Sequence, residues 1–400
     1  MKRLLISSSK YILKSPYKRG NSVVWIQSGE EYFDLLEKLI DSARQEIHLQ
    51  TYIFSSDETG SKIADALIRA ANRKIEVFLL VDAFGSKDLS DHTINRFKNA
   101  GIHFRVFGRL FSNGTFHIGR RMHHKITVID GQTSLVGGIN ISNNYNSING
   151  LIPWLDFAVV LKGNISNRLR YICFRRWKSR IKSIHERRAF LLFPNVKTPG
   201  GKIPVRVRRN DFTLNKFEIS ISYREAIRRS KHTILLVGGY FLPGGRTRRL
   251  LKKAIDRGVN ISVIVSEQSD VKLVVNARRY LYQWLLRNKI NVFEYQPTNV
   301  HGKVLITDNK WTSIGSYDMN NLSTYSNIEL NLDIKDELFS AGLAGQINSI
   351  REKDCKKITQ EDLQKKSSVF NKVKLWFSYR LVKTFFVLSA LLAGNAEKEK

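Results

Sequence analysis

Cysteine is nearly absent from this chain of 400 residues, which contains only Cys173 and Cys355. The two cysteines are far apart, and neither belongs to a C-x-x-C pair or to a cluster of cysteines and histidines. A disulfide framework and a structural zinc site are therefore excluded, because each requires several suitably spaced cysteines or histidines. So few cysteines are typical of a protein in a reducing, cytoplasmic compartment.

Long hydrophobic runs are also missing. The apolar stretch at residues 4–6 is too short for the core of a signal peptide, so we expect a basic N-terminal arm instead. Near the C-terminus, the uncharged run at residues 385–392 falls well below the roughly 20 residues that span a bilayer. Cations among the aromatic residues just before this run are typical of an amphipathic segment at a lipid interface. A terminal helix packed on its own domain is the alternative.

Acidic residues are scarce, since 35 Asp and Glu stand against 66 Lys and Arg, which gives a net charge of +31. This imbalance indicates a polyanionic partner, either nucleic acid or an anionic lipid surface. Cations are dense at residues 168–188, where the pattern predicts a helix with one apolar and one cationic side, and again at 224–253. With 42% hydrophobic residues the chain is globular, so wholesale disorder is excluded.

Helical and strand periodicities alternate along both halves of the chain. The first half predicts a helix at 32–43, a strand at 46–54, a helix at 60–72 and a strand at 75–82. The second half repeats this order at 223–229, 233–241, 247–257 and 260–265. We therefore expect an α/β fold made by tandem duplication, in which each lobe is a mainly parallel mixed sheet flanked by helices.

Proline and glycine concentrate between the two halves, where a linker is expected. The predicted organisation is a basic N-terminal arm at 1–26, a first lobe at 27–193 that includes a basic helix at 166–190, a linker at 194–210, a second lobe at 211–345, and a basic, amphipathic C-terminal tail at 346–400.

Each half carries the motif H-x-K-x4-D after its second predicted strand. The two copies are His123, Lys125 and Asp130 in the first half and His301, Lys303 and Asp308 in the second. Each copy is followed by a short block at an equivalent place, Gly137-Gly138-Ile139-Asn140 in the first half and Gly315-Ser316-Tyr317-Asp318 in the second. A single match to so short a motif is weak evidence, but two copies at equivalent places in a duplicated chain are strong evidence for a functional site.

The spacing within the motif has a physical meaning. Residues two apart on a strand project from the same face, so each His and its Lys point to one side, whereas His124 faces the other side and is expected to be structural. Two imidazoles and two ammonium groups suit a phosphodiester and its charged transition state. One His can attack phosphorus while the other protonates the leaving oxygen, because imidazole titrates near neutral pH.

On these residues the sequence resembles the phospholipase D superfamily and, within it, the B-like group of bacterial cardiolipin synthases, which lack N-terminal transmembrane helices. The resemblance covers residues 30–336, and other segments that carry it are 50–54, 81–86, 154–156, 239–243 and 326–331. It implies two tandem phospholipase D-like lobes with one shared active site. It also implies phosphatidyl transfer between two phosphatidylglycerol molecules, giving cardiolipin and glycerol through a phosphohistidine, with no metal and no cofactor.

The resemblance further implies roles for individual residues. His123 would be the nucleophile and His301 the general acid and base, with Asp156 and Glu329 orienting the two imidazoles. Lys125, Lys303 and Asn140 would hold the phosphate oxygens. Further candidates for phosphate or substrate contacts are Ser316 and Asp318 in the matching block, and Tyr52 and Tyr240 at the ends of core strands, where packing alone is the alternative. Asp130 and Asp308 belong to the motif and are counted with its catalytic residues, although in this family they more often bind backbone at the end of a strand.

One position departs from the family pattern. Asp318 stands where the family usually has Asn, and an ionised carboxylate would repel a phosphate. Either Asp318 points elsewhere and Asn320 or Asn321 supplies the missing amide, or the second half-site is altered.

The expected partner is an anionic phospholipid membrane that contains phosphatidylglycerol and cardiolipin, with the protein peripheral on the cytoplasmic face of the bacterial cell membrane. Nucleic acid is a less favoured partner. Two other functions stay open from the sequence: a phospholipase D-type phosphodiesterase or nuclease, for which the positive charge is equally suitable, and a catalytically silent module that binds anionic lipid or nucleic acid.

Overall fold

The computed structural model describes residues 16–108, 111–112, 115–116, 120–177, 201–365 and 368–395. These residues fall into two compact units. The N-terminal unit comprises Tyr17–His117 and Arg121–Val207, and the C-terminal unit takes most of its residues from Arg208–Lys400. The division between them lies inside a strand that runs from Ile203 to Asp211.

The N-terminal unit is a sheet with helices packed on it. Its helices are α1 (Glu30–Asp41), α2 (Glu58–Asn72), α3 (Asp91–Asn99) and α4 (Asn164–Trp177). Its strands are β1 (Lys18–Gln27), β2 (Glu46–Thr51), β3 (Glu76–Asp82), β4 (His103–Phe107), β5 (Phe111–Ser112), β6 (Thr115–Phe116), β7 (Arg121–Met122), β8 (Lys125–Ile129), β9 (Thr133–Gly137), β10 (Phe157–Gly163) and the start of β11 (Ile203–Asp211).

The main sheet of this unit has the strand order β11-β1-β10-β9-β8-β2-β3-β4. The strands β2, β3 and β4 are parallel, because a helix connects each to the next, and the other neighbours are antiparallel. The apolar stripes of α1 and α2 cover the sheet, where Phe33, Leu36, Ile63 and Leu67 are fully or almost fully buried.

The C-terminal unit repeats this plan. Its helices are α5 (Glu218–Arg229), α6 (Gly245–Asp256), α7 (Lys272–Arg287), α8 (Asn321–Tyr325), α9 (Glu337–Asp354), α10 (Gln360–Lys365) and α11 (Val369–Asn395). Its further strands are β12 (Lys216–Phe217), β13 (Thr233–Gly238), β14 (Asn260–Ser266), β15 (Asn291–Tyr295), β16 (Lys303–Thr307), β17 (Trp311–Gly315), β18 (Asn327–Ile334) and β19 (Cys355–Lys357).

The sheet of the C-terminal unit has the order β18-β17-β16-β13-β14-β15-β19. The strands β13, β14 and β15 are parallel, as are β2, β3 and β4 in the other unit, and the motif strand is antiparallel to its neighbours in both. The duplication predicted from the sequence is therefore visible in the topology. The mixed α/β fold is also confirmed, but the sheets are not mainly parallel, because the motif strands are joined by short hairpins.

Three predicted segment boundaries differ from the structure. Residues 18–26 of the predicted arm belong to β1, which pairs with β10 from Asn21 to Gln27. Residues 203–210 of the predicted linker form most of β11, and residues 346–354 of the predicted tail complete α9. These segments are structured through pairing or packing with residues far along the chain. Residues 1–15 of the arm, 178–190 of the basic helix and 194–200 of the linker lie outside the described residues.

The described part of the predicted basic helix is α4, and one of its cations points inward. Arg170 is 3% exposed and donates to the carboxylate of Glu46, with Nη2 2.9 Å from Oε2. Burial by itself would raise the pKa of Glu46, but hydrogen bonds from Arg170 and His48 lower it to about 2. Arg170 is thus part of the interior and does not contribute to a cationic surface.

The last helix, α11, lies on the C-terminal unit. It packs against α7 and α8, and Val382 and Phe386 are buried in that contact. Among the described residues, no helix combines the length and the apolar character needed to cross a membrane.

Candidate active site

The first motif lies at the start of β8 and forms the N-terminal half-site. Lys125 is buried and its ammonium donates to the carbonyl oxygen of His123, which precedes the strand by two residues. The ring of Tyr52 meets the imidazole of His123 edge on, with 4.9 Å between centroids. The Lys125 ammonium lies 5.2 Å from the centre of the same ring. The predicted His, Lys and Tyr are therefore brought together.

The second motif lies at the start of β16 and forms the C-terminal half-site. His301 is 6% exposed and Lys303 only 2%, and the Lys303 ammonium donates to the carbonyl oxygen of His301. This is the same contact that Lys125 makes with His123. A buried ammonium next to an imidazole supplies positive charge in a site from which water is largely excluded, which strengthens its action on an anion.

The residue between the first His and Lys faces away from the half-site, as the alternation of a strand requires. His124 is buried, and its Nε2 lies 2.8 Å from Oε1 of Gln50, whose amide in turn donates to the carbonyl of Cys173. The second motif has Gly302 at the matching position. His124 therefore has the structural surroundings that the sequence predicted.

Sheet register places a carboxylate at the His end of each motif strand. Lys125 is opposite Gly137, which is opposite Ala158, so the residues two positions earlier, His123 and Asp156, lie at the same end of the sheet. In the C-terminal unit, Val304 is opposite Ile314 and Gly315 is opposite Asn331, which gives His301 and Glu329 the same relation.

The small residues of the two blocks explain how the carboxylates fit there. A Cβ on Gly138 would lie 2.4 Å from Oδ1 of Asp156, so only glycine allows this approach. The corresponding Ser316 is accommodated because it donates its hydroxyl to Glu329, with 2.5 Å between the oxygens. Asp156 and Glu329 are both 0% exposed. Both carboxylates are therefore held firmly beside the strand that follows the His.

Asn140 and Asp318 occupy matching positions but have different contacts. The side-chain oxygen of Asn140 accepts from the backbone N–H of Ile53 at 3.1 Å, and its amide donates to the hydroxyl of Tyr145 at 2.8 Å. Asp318 is 4% exposed and its Oδ2 lies 3.6 Å from the Lys303 ammonium. The carboxylate thus faces the motif lysine. Of the two arrangements that the sequence left open, this is the one in which the second half-site is altered.

Asn320 does not take over the role of an amide at the half-site. Its side-chain oxygen caps α8 by accepting from the N–H of Ser323 at 2.9 Å, and its amide donates to the carbonyl of Tyr240 at 3.2 Å. The hydroxyl of Tyr240 donates to Asp270, with 2.6 Å between the oxygens. Burial, followed by the charge of Asp270, raises the pKa of Tyr240 well above its usual value, so this phenol stays neutral.

The two motif aspartates lie at the far end of their strands, about 16 Å from the motif lysine at 3.3 Å per residue. Asp130 accepts from the backbone N–H groups of Arg44, Gln45 and Glu46 at 2.8–3.0 Å. Asp308 accepts from three matching groups, those of residues 231–233, at 2.7–2.9 Å. We therefore assign both to holding the start of the neighbouring strand, and not to the chemistry.

This assignment predicts a loss of stability without a loss of chemistry. We expect Asp308→Ala to lower the free energy of unfolding by about 1–2 kcal/mol, because three backbone N–H groups lose their acceptor. Burial by itself would raise the pKa of Asp308, but the three donors lower it below 3.8. The stabilisation is therefore present above that pH and is lost as the pH falls through the lower, folded-state value.

Urea unfolding of the wild type and of Asp308→Ala at neutral and acidic pH measures this effect, and we expect the two curves to converge only when the pH falls below the lowered, folded-state pKa. Asp130→Ala is the matched variant in the other unit. A folded Asp308→Ala protein of unchanged stability but without activity would contradict the structural assignment.

Sequence reasoning missed a pair of residues that fix the chain immediately before each motif His. Asp82, at the end of β3, accepts from the N–H of Met122 at 2.8 Å, and burial raises its pKa. Ser266, at the corresponding end of β14, accepts from the N–H of Val300 at 2.6 Å. The position of these two residues could have identified them. Each is a polar residue at the end of a largely buried strand, at the edge of the sheet where the motifs lie.

Arg278 was also missed, because a cation in a helix reads as a surface residue. It is 0% exposed, and its guanidinium donates to the carbonyl oxygens of Gly239 and Ser266 and to the hydroxyl of Tyr282. It therefore ties together the ends of β13 and β14, next to Tyr240 and to the residue that holds Val300.

Comparison with known proteins agrees with this geometry. Residues 36–151 and 223–351 match the family described as cardiolipin synthase, PLD-like domain. The chain is 30% identical over 398 residues to cardiolipin synthase B of Escherichia coli (strain K12), covering 96% of this chain and 94% of that protein. It is 31% identical over 395 residues to cardiolipin synthase B of Salmonella typhimurium, covering 96% and 93%.

Solved structures show the same fold. The phosphatidylserine synthase of Haemophilus influenzae Rd KW20 superposes with a TM-score of 0.70 at 16% identity, over 97% of this chain and 99% of that one. The match is therefore one of fold, whereas the relationship to the cardiolipin synthases rests on sequence over nearly the whole length of both chains. Two repeats that match one family model, each with a His and a buried Lys in the same motif, show that this chain belongs to the phospholipase D-like cardiolipin synthase family of phosphatidyltransferases.

Proposed function

We propose that the protein is a cardiolipin synthase that transfers the phosphatidyl group of one phosphatidylglycerol to the free glycerol hydroxyl of another. The observation that carries the proposal is the pair of His–Lys motifs, in which a buried lysine contacts the carbonyl of its His in both repeats of a chain that aligns with cardiolipin synthase B over 96% of its length. The products are cardiolipin and glycerol, so the reaction exchanges one phosphodiester for another and needs no external source of energy.

The first step of the proposed reaction forms a phosphohistidine. A ring nitrogen of His123 attacks phosphorus, the bond from phosphorus to the headgroup glycerol breaks, and His301 gives its proton to the departing glycerol oxygen. The proposal therefore requires the imidazoles of the two units to act on one phosphate. Lys125 and Lys303 bind its non-bridging oxygens, on which charge builds up in the transition state.

The second step reverses the first. The hydroxyl of a second phosphatidylglycerol attacks phosphorus, His301 accepts its proton, and the phosphorus–nitrogen bond breaks to release cardiolipin and His123. Asp156 and Glu329 are proposed to fix the imidazole tautomers from their places at the same end of each sheet. Ser316 supports this role because it holds Glu329 in place, while Tyr52 packs on His123 and limits the positions of its ring.

Asp318 changes the charge of the C-terminal half-site. Its carboxylate lies 3.6 Å from the Lys303 ammonium, so Lys303 shares its charge between this carboxylate and the incoming phosphate. Asn140 and Tyr240 are proposed to line the site and to support the chain around it. The polar atoms of Asn140 contact Ile53 and Tyr145, and the hydroxyl of Tyr240 contacts Asp270.

We propose that the protein works as a peripheral protein on the cytoplasmic face of the membrane, where its net charge of +31 favours binding to anionic lipid.

Lipid products formed by the purified protein test the proposal. The protein is incubated, in the presence of chelator, with phosphatidylglycerol vesicles and separately with labelled single-stranded DNA, and products are read by mass spectrometry. Cardiolipin and glycerol in equal amounts are expected. Phosphatidic acid in place of cardiolipin would identify a hydrolase, cleaved DNA without lipid product would identify a nuclease, and no product from either would identify a binding module.

A further inference from the structure

The C-terminal helix α11 has three faces, and the first of them packs on the protein. Val382 and Phe386 are 4% and 8% exposed, and they join the buried cluster of Leu242, Val274, Ala277 and Leu281. One turn earlier, the ring of Tyr379 stacks on that of Tyr280 of α7, with 4.8 Å between centroids. This face fixes the helix lengthwise on the C-terminal unit.

The second face is apolar and points away from the protein. From Phe370 onward its residues follow one another at steps of three or four, so they form one stripe along the helix, which Val369 joins at its start. They are between 46% and 81% exposed: Val369, Phe370, Val373, Phe377, Leu381, Phe385 and Leu388. Single exposed apolar residues are ordinary, but a continuous stripe that includes three phenylalanines marks an interaction surface.

The third face carries cations. Lys372, Arg380 and Lys383 lie on the side of the helix between the packed face and the apolar stripe, and the Arg380 guanidinium covers the ring of Trp376 at 5.4 Å. Lys374, four residues after Phe370 and three before Phe377, is a fourth cation and lies at the other edge of the stripe, and no Asp or Glu occurs between Val369 and Asn395. An apolar stripe flanked only by cations is complementary to a surface that has an apolar interior and anionic groups at its edge.

The helix also lies next to the C-terminal half-site. The buried cluster that α11 joins includes Leu242, and the partly buried Tyr240 packs against this cluster. The N–H of Leu242 donates to the carbonyl of Met319 at 3.1 Å, and Met319 directly follows Asp318. The packed face of α11 is therefore connected to Lys303 through a short series of contacts that runs by way of Leu242, Met319 and Asp318.

We propose that the outward apolar face of α11 is a docking surface for an anionic lipid bilayer, into which its phenylalanines and leucines insert while its cations contact the headgroups. This inference rests on the proposed function and deepens it by naming the element that brings the C-terminal half-site to its lipid. The helix lies along the bilayer surface, because its other face is committed to α7. A second copy of the chain fits this face poorly, since pairing would bring two sets of four cations together without an acid.

Binding to vesicles, measured by flotation, tests the proposal without requiring turnover. The vesicles contain phosphatidylglycerol in phosphatidylcholine, and the variants are Leu381→Asp and Phe377→Asp, each of which places a carboxylate on the stripe. Each is expected to weaken partitioning by about tenfold or more, because an inserted apolar side chain is lost and a charge is added. Leu338→Asp is the matched control, since Leu338 of α9 is 89% exposed and lies on another helix of the same unit.

Two results would overturn the proposal. One is that Leu381→Asp and Phe377→Asp, shown by circular dichroism to be folded, bind vesicles as tightly as Leu338→Asp does. The other is a wild-type dimer in solution that Leu381→Asp converts to a monomer, because the stripe would then be an interface between copies.

Glycerol release from a short-chain phosphatidylglycerol that is monomeric in solution separates this inference from the proposed function. We expect Leu381→Asp to act on it as fast as the wild type while acting slowly on vesicles. If no protein releases glycerol but vesicle binding still depends on Leu381, the proposed function fails and the docking surface stands. If glycerol is released and binding ignores Leu381, the docking surface fails alone.

Discussion

The variant His123→Ala is expected to form cardiolipin at least about 10⁴-fold more slowly than the wild type, because it lacks the nucleophile that carries the phosphatidyl group. The structure supports this size of effect, because His123 is held in two ways. The Tyr52 ring packs against its imidazole, and the Lys125 ammonium donates to its backbone carbonyl. Quantifying cardiolipin by mass spectrometry against time gives the ratio of rates.

A matched control separates chemistry from folding. His92→Ala makes the same change at an exposed position of α3 in the same unit, and it should leave the rate within about twofold of the wild type. His123→Ala should unfold at nearly the same urea concentration as the wild type. Retention of a tenth or more of the wild-type rate by a folded His123→Ala protein would rule out His123 as the nucleophile.

The second large effect is expected from Lys303→Met, which should reduce both the rate and the stability. The rate should fall by about 10²–10³-fold, because the phosphate loses one of its buried cations in the transition state. The free energy of unfolding should fall by about 3 kcal/mol, because the buried Asp318 carboxylate loses the ammonium that lies 3.6 Å away.

The double variant Lys303→Met/Asp318→Asn distinguishes these two losses. It should regain most of the stability, because the buried negative charge is removed together with its partner, but it should stay as slow as Lys303→Met. Rates from product formation and free energies from urea unfolding complete the cycle. Recovery of the rate in the double variant would mean that Lys303 serves only to neutralise Asp318.

Sequence patterns predicted the parts of the fold that depend on local periodicity. The helix expected at 60–72 is α2, and the strand expected at 75–82 is β3, each within two residues. The strand expected at 46–54 ends earlier, at Thr51, because the chain turns there and the Thr51 hydroxyl donates to the carbonyl of Ile53. That turn places Tyr52 at the half-site, so the error falls at a functional position.

Elements that depend on distant partners were not predictable in this way. The strand β1 begins with Lys18 and Arg19 and resembles a basic arm, and it is a strand because it pairs with β10 and β11, 130 or more residues later. The helix α11 carries apolar residues on both its packed and its outward face, whereas the sequence favoured the interfacial segment and left the packed helix as the alternative. The structure shows that the packed helix and the exposed apolar stripe are both present.

The parts of the half-sites that depend on the spacing of residues within the motif were predictable from the sequence. Alternation along a strand correctly placed His124 on the far side, and the match between the repeats identified both His–Lys pairs. Alternation along one strand says nothing about its neighbouring strands. The placement of Asp156 and Glu329 at the His ends of the motif strands therefore became visible only from the register of the sheets. The orientation of Asp318 toward Lys303 likewise required the structure.

Trapping the covalent intermediate tests the central claim, phosphatidyl transfer through His123 with His301 as the acid and base. The donor is a phosphatidyl ester of p-nitrophenol, whose leaving group departs without a proton, and the protein is His301→Ala. We expect a burst of one p-nitrophenol per protein and a phosphatidyl adduct on the peptide that contains His123, because the second step lacks its base. Continued turnover without an adduct, or a burst that persists in His123→Ala, would contradict the account.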